Sequence, residues 1–275
     1  MPSRSVTSRR RVPRAGVHPA VKHKRSPRFS FTSPNSLTPP LLLDLFCGAG
    51  GAAWGYHLAG FDIIGVDVEE QPHYPFTFFR ADALAWLDSY LTSRRSGVGR
   101  LATSFPYAAI HASPPCQEFT VYRNARPGAK PRWPNLIPQT RALLQQTGLP
   151  WIMENVPGAP LLHPIQLCGT SFGVPVRRHR LFESSFPLQA LPCAHERFTE
   201  RKFPGSTNRP RGRTVCNVGE YRVPLKIQKE CMEIDWDITL HELSEAVPPA
   251  YTRLLGTQLM QQIKGPGGTS SNEQR

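Results

Sequence analysis

The sequence predicts an α/β fold, a mostly parallel sheet covered on both faces by helices, with a small irregular lobe attached. Three observations predict it. Short apolar runs alternate with stretches of helical composition between Leu41 and Met153. Several of these runs end in turns rich in glycine or proline, where open α/β sheets place their ligands. From about Phe186 to Asp237 the alternation gives way to Pro, Gly and Arg around short apolar pieces.

Residues 1–40 hold nine Lys or Arg and no acid, with many Pro and Ser. Such a segment buries too little apolar surface to repay ordering and is expected to be a disordered basic tail. It either adds attraction to phosphates or is a plain solvated extension. Its Arg and Ser content also suits an organelle transit peptide, which its prolines oppose. Leu41 to Phe46 then reads as a strand entering the turn Asp44-Leu45-Phe46-Cys47-Gly48-Ala49-Gly50-Gly51, followed by a helix over Ala52 to Gly60. Asp62 to Val66 and Phe76 to Phe79 are the next strands, and Asp82 precedes a helix over Ala83 to Leu91. Residues 107–112 form a strand running into Ser113-Pro114-Pro115-Cys116-Gln117. Gln139 to Thr147 is a helix closed by Gly148, and Pro150 to Met153 is a strand ending in Glu154-Asn155-Val156. Pro248 to Lys264 reads as a helix started by proline. The expected organisation is a catalytic and cofactor-binding domain over 41–185, a small lobe over 186–238, a returning segment over 239–264 and a frayed end over 265–275.

At 275 residues and 39% hydrophobic content, the chain can bury the core of one α/β domain and an appendage. No apolar run approaches the roughly 18 residues of a membrane span, and no signal-peptide core is visible. The net charge of +13 lies mostly in the tail, leaving 24 basic against 20 acidic residues from Leu41 onward. Six cysteines form no CxxC pair. A thiol at a strand tip would have to stay reduced, which predicts a cytoplasmic location. Cys47 and Cys168 read as small buried residues. Cys193, His195, Cys216 and Cys231 are a minor candidate zinc set, too loosely spaced to be expected, so no metal is assigned.

Two strand tips therefore deliver a thiol, Cys116, and a carboxylic acid, Glu154, and a third supplies a glycine-rich turn suited to a nucleotide-like cofactor. In this order the landmarks resemble the DNA (cytosine-5)-methyltransferase family, over about Leu41 to Lys264. Asp44 to Gly51 is similar to that family's first S-adenosylmethionine motif, with Phe46 placed to cover the adenine. Gly65-Val66-Asp67 resembles the acidic strand end that binds the ribose, and Ala81-Asp82 the aspartate that meets the adenine amino group. Ser113 to Gln117 matches the nucleophile motif, Glu154-Asn155-Val156 the acid motif, Arg178-His179-Arg180 the paired arginines, and Ala246-Val247-Pro248-Pro249 the returning segment.

The resemblance implies a Rossmann-like S-adenosylmethionine-dependent methyltransferase fold with a target-recognition lobe. It implies Cys116 as nucleophile, Glu154 as acid, Asn155 as its orienter, and Arg180 with Arg178 on the pyrimidine O2 and nearby phosphate. Cofactor contacts would come from Asp44, Phe46, Cys47, Gly48, Gly50, Gly51, Asp67, Val68, Asp82, Pro114 and Val247. DNA contacts would come from Gln117 and Thr120, from Arg123, Arg126, Lys130 and Arg132 in the loop of residues 118–138, and from Arg209, Arg211 and Arg213 in the lobe. The implied partner is double-stranded DNA, with a monomer expected, a prokaryotic or phage-infected host, and a restriction endonuclease partner left open. Val176 stands where the family usually has glutamine, and Glu245-Ala246 where an asparagine is common; both are supporting positions. An RNA cytosine-5 methyltransferase of the same fold is the alternative, although its extra Cys-Phe-Thr motif is absent. A catalytically silent DNA-binding relative is the other, opposed by the joint presence of Cys116, Glu154 and Arg180.

Overall fold

A computed structural model describes residues 38–97, 105–119, 134–198 and 215–265. The residues from Pro39 onward belong to one unit built on a seven-stranded sheet. Its strands are β1 (Leu41–Leu45), β2 (Asp62–Asp67), β3 (Thr77–Arg80), β4 (Tyr107–Ala112), β5 (Trp151–Asn155), β6 (Ile165–Leu167) and β7 (Arg180–Ser184), in the order β3-β2-β1-β4-β5-β7-β6. The first five run parallel, while β7 is antiparallel to both β5 and β6. Among the described residues the helices are α1 (Gly51–Leu58), α2 (Ala83–Ser96), α3 (Ile137–Thr147), α4 (Leu225–Met232), α5 (Leu240–Glu245) and α6 (Pro249–Lys264).

The alternation of side chains along each strand sorts the core into two layers. Leu41, Leu43, Leu45, Ile110, Ala112 and Met153 face α2 and α3, packing on Leu87, Tyr90, Ile137 and Leu144. Leu42, Ala109, Ile152 and Phe182 face α1 and α6, against Tyr56, Tyr251, Leu255 and Leu259. Burying each of these large apolar side chains is worth about 1.5–3 kcal/mol. A Cβ on Gly55 would collide with Thr252 and the Pro249 carbonyl, so α6 lies tight on α1. A third cluster, with Val174, Val176, Val223, Met232, Ile234 and Leu243, packs the segment around α4 and α5 against Ala49 of the glycine turn.

The parallel strands match the sequence expectation closely, and Asp82 caps α2 by accepting from the Ala85 N–H. Several elements differ from it, β6 and the antiparallel β7 among them. β5 extends through Glu154 and Asn155, because both side chains find buried partners. α4 arises inside the stretch expected to be irregular, and α5 is started by a capping box in which Thr239 and Glu242 satisfy each other's backbone N–H groups. Among the described residues, no helix is long and apolar enough to cross a membrane.

Candidate active site

Strand order reverses direction between β1 and β4, so a crevice opens at their carboxyl ends. There the face that packs on α1 and α6 turns polar. Asp44 pairs in register with His111, and His111 with Ile152. One step further along the same face come Ser113 and Glu154, from adjacent strand tips. Asp44, His111, Glu154 and Asn155 are all buried.

Cys116 lies half-buried just beyond β4, where the Phe119 N–H donates to its carbonyl at 2.8 Å. The side-chain amide of Asn155 donates to the Pro114 carbonyl at 2.8 Å, and its oxygen accepts from the Val156 N–H. Those bonds tie down the thiol's turn; neither goes to Glu154, the partner expected for Asn155. The Arg180 Nε stands 3.0 Å from Glu154 Oε1, an ion pair whose angle falls outside that of an aligned hydrogen bond. Burial raises the Glu154 carboxyl above its ordinary range, opposed by Arg180, Arg178 and a hydrogen bond from Ser113. Burial likewise pushes the Cys116 thiol up, the charge of Glu154 adds to this, and Arg180 opposes it. Both side chains therefore share one electrostatic neighbourhood with Arg180.

Arg178 is anchored from the other side. Its Nη2 donates to the Ser244 carbonyl at 2.5 Å, and the Tyr251 hydroxyl donates to its backbone oxygen at 2.5 Å. Burial first, then Arg180, lowers its guanidinium to about 9.

A buried polar chain that sequence reasoning missed runs into Glu154 from behind. The Tyr56 hydroxyl meets His111 Nδ1 at 3.0 Å, and His111 Nε2 meets Ser113 Oγ at 2.9 Å. Because Ser113 donates to Glu154, it accepts from Nε2–H, which leaves Nδ1 to accept from Tyr56. Burial drives His111 down to about 3, so it is neutral. The signal available in the sequence was a histidine between Ile110 and Ala112 in an otherwise apolar strand.

The glycine turn sits beside these groups. Phe46 takes φ 55, a strained left-handed value for a bulky residue, at the point where the chain leaves β1. The Gly48 and Glu69 N–H groups donate to the two oxygens of Asp67, each at 3.0 Å. A carboxylate has about four acceptor sites, so Asp67 can still receive a diol. Tyr74 donates to Asp44 Oδ2 at 3.1 Å, while the buried Oδ1 has no protein partner. Val68 exposes 58% of its surface next to Asp67. A Cβ on Gly51 would lie 2.5 Å from the Val247 carbonyl, so the returning segment closes directly onto the turn. Trp236 also donates to the Ala49 carbonyl at 3.2 Å. An orphaned carboxylate oxygen, an acidic strand end and a glycine-rich backbone turn fit a nucleoside-bearing cofactor.

Other expected residues differ in burial and engagement. Asp82 spends one oxygen on its helix cap. Cys47 is buried, and the Pro114 carbonyl is already engaged by Asn155. Gln117 is exposed at the start of a 3-10 turn. Thr120, Arg123, Arg126, Lys130, Arg132, Arg209, Arg211 and Arg213 lie outside the described residues. Cys216 and Cys231 pack in the third apolar cluster, whereas Cys193 and His195 group with Cys168 and His179. A hollow of about 890 Å³ opens near the start of β5 around Pro150, Trp151 and Ser185, and none of Cys116, Glu154 and Arg180 lines it.

Residues 41–166 match the family model for C-5 cytosine-specific DNA methylase. Among solved structures, the chain is similar to the Dnmt2 methyltransferase of S. pombe, at 11% identity over 82% of this chain and 99% of that one, with a TM-score of 0.53. That likeness shows the fold. The chain is also similar to a prophage-encoded E. coli protein described as a DNA modification methyltransferase, at 20% identity over 60% of this chain, with a TM-score of 0.40. It spans 52% of that protein's length. A SAM-dependent methyltransferase of Agrobacterium tumefaciens aligns at 17% identity over 44% of this chain and 40% of that one, with a TM-score of 0.29. No curated protein matches the sequence.

Proposed function

From the membership of this chain, through residues 41–166, in the C-5 cytosine-specific DNA methylase family, we propose that it methylates C5 of cytosine in double-stranded DNA using S-adenosylmethionine. One observation carries the reading: the Cys116 thiol, Glu154 and Arg180 share a buried neighbourhood at adjacent strand tips, beside a glycine turn.

Cytosine C5 is too weak a nucleophile to take a methyl group unaided. Addition of the Cys116 sulfur to C6 forms an S–C bond and moves the ring's π electrons toward C5 and N3. Glu154, whose hold on a proton is strengthened by burial, meets the negative charge at N3 with a proton. Proton placement couples the two groups. Ionised Glu154 opposes the thiolate, whereas protonated Glu154 leaves the charge of Arg180 to stabilise it. The active arrangement is therefore a neutral acid facing an ionised sulfur. When bound, S-adenosylmethionine supplies an electrophilic methyl on a sulfonium; Asp67, Val68, Phe46 and the Gly48–Gly51 turn would hold it. Loss of the C5 proton to solvent, return of the N3 proton to Glu154 and departure of the Cys116 thiolate restore the aromatic ring.

A stacked base cannot reach these groups, so the cytosine would be flipped out, at a few kcal/mol. Arg123, Arg126, Lys130 and Arg132 with Trp133 supply cationic and stacking groups suited to the vacated duplex.

The test incubates the protein with labelled S-adenosylmethionine and mixed-sequence duplex DNA or RNA, alongside Cys116→Ala. Label in DNA that disappears in the variant, with covalent trapping on 5-fluorocytosine DNA, is the expected result. Label in RNA alone would replace DNA as the substrate, and label retained by Cys116→Ala would remove the covalent step.

A further inference from the structure

We propose that Cys168, His179, Cys193 and His195 bind one Zn²⁺ ion in a tetrahedral site. The ligand atoms of these four side chains all lie within 4.8 Å of one another. Cys168 Sγ is 3.3 Å from His195 Nε2, and Cys193 Sγ is 3.5 Å from His179 Nε2. A tetrahedron with Zn–S of about 2.3 Å and Zn–N of about 2.0–2.1 Å has sulfur-to-nitrogen edges of roughly 3.5 Å. Both crossed pairs sit at that spacing. Two thiols and two imidazoles, with no carboxylate in the group, suit zinc rather than magnesium or calcium. The two cysteines are not joined by a disulfide.

The four donors come from three separate pieces of chain. Cys168 follows β6, His179 immediately precedes β7, and Cys193 and His195 lie in the segment after β7. Neighbouring groups already orient them. Thr170 Oγ1 lies 3.2 Å from Cys168 Sγ and accepts from the Ala194 N–H at 3.2 Å. Arg177 donates to the His195 carbonyl at 3.3 Å. Such surrounding contacts are what fix the direction of metal ligands.

The site has a structural consequence for the chemistry. Side chains alternate along an extended segment, so Arg178 and Arg180 reach Glu154 while His179 between them points the other way. A metal gripping His179 holds the backbone from which both arginines project. It also fastens the segment after β7 onto the sheet.

The test reads metal rather than methyl transfer, so it stands or falls separately from the proposed activity. The full-length chain, purified under reducing conditions without chelator, should carry about one zinc per molecule by elemental analysis. Cys193→Ser/His195→Ala, changed at the exposed edge of the cluster, should retain less than about a tenth of that, whereas Cys116→Ser should retain all of it. Replacing zinc by Co²⁺ in the unaltered chain should give the intense visible bands of tetrahedral cobalt with thiolate charge transfer. A native chain that neither contains nor takes up zinc overturns the proposal. So does a double variant with undiminished zinc, or weak octahedral cobalt bands.

Discussion

Asn155 donates its side-chain amide to the Pro114 carbonyl across 2.8 Å, so the strand that carries Glu154 also holds the turn that carries Cys116. A single side chain thereby ties the Glu154 strand to the Cys116 turn. Asn155→Ala would leave the buried Pro114 without that donor, at about 1–3 kcal/mol, and let the thiol drift. A misplacement of about 1 Å costs on the order of 10²-fold in rate. The expected outcome is a fall in kcat of that order with the KM for S-adenosylmethionine little changed. Asn155→Asp, which restores an acceptor but no donor, should not recover activity in the same steady-state assay.

Replacing Glu154 should move two readouts in opposite directions. Glu154→Gln removes the proton donor at N3, for which roughly 10²- to 10⁴-fold in methyl transfer is expected. It also removes a negative charge that raises the Cys116 thiol. Alkylation of Cys116 by iodoacetamide at pH 8 should therefore become faster while catalysis collapses. Slower alkylation would show that the two groups are not electrostatically coupled.

His111 makes stability depend on pH. In the folded state burial holds it neutral down to about 3, whereas in the unfolded chain it ionises near pH 6.5. Below about pH 6.5 the unfolded chain gains a proton that the folded one refuses, so stability present above that value is lost as pH falls. Between pH 7 and 5 the loss from this residue is about 2 kcal/mol. Urea denaturation at the two pH values should show a smaller drop for His111→Gln than for the unaltered protein, by about that amount.

Gly51→Ala tests the contact between the glycine turn and the returning segment. The added Cβ would meet the Val247 carbonyl at 2.5 Å and Ala246 Cβ at 3.0 Å. The nearest atoms are the Val247 backbone and a Cβ fixed to its chain, which leave little room to yield, and overpacking of this kind costs about 1–3 kcal/mol. The variant should melt several degrees lower and bind S-adenosylmethionine at least about tenfold more weakly. Calorimetry giving the parent affinity would separate the turn from the cofactor.

The parallel half of the sheet was legible because its strands are continuous apolar runs and its turns carry glycine or proline at their ends. Leu41–Leu45 and Tyr107–Ala112 needed no tertiary information. Cys116, Glu154 and the turn at Gly48–Gly51 followed, since strand tips in such sheets converge. β6, with only three residues, and the reversal at β7 left no periodic trace. α5 shows in the sequence only through its capping pair, Thr239 and Glu242, because its 6 residues are too few for a periodic apolar pattern. The Tyr56–His111–Ser113 chain depends on the register of β4 against β1, which no local pattern encodes. The same holds for Cys168 and His179, which are eleven positions apart and meet only because β6 and β7 pair.

The pairing of Arg180 with Glu154 buries both side chains, at 13% and 8% exposure. Dissolved ions screen exposed charges over a Debye length of about 8 Å at physiological strength, but they reach such an enclosed pair poorly. Phosphate contacts made by surface Lys and Arg weaken steeply as salt rises. If the chain acts on DNA as proposed, ionic strength would therefore govern how often the two meet, while each productive encounter proceeds at an unaltered pace.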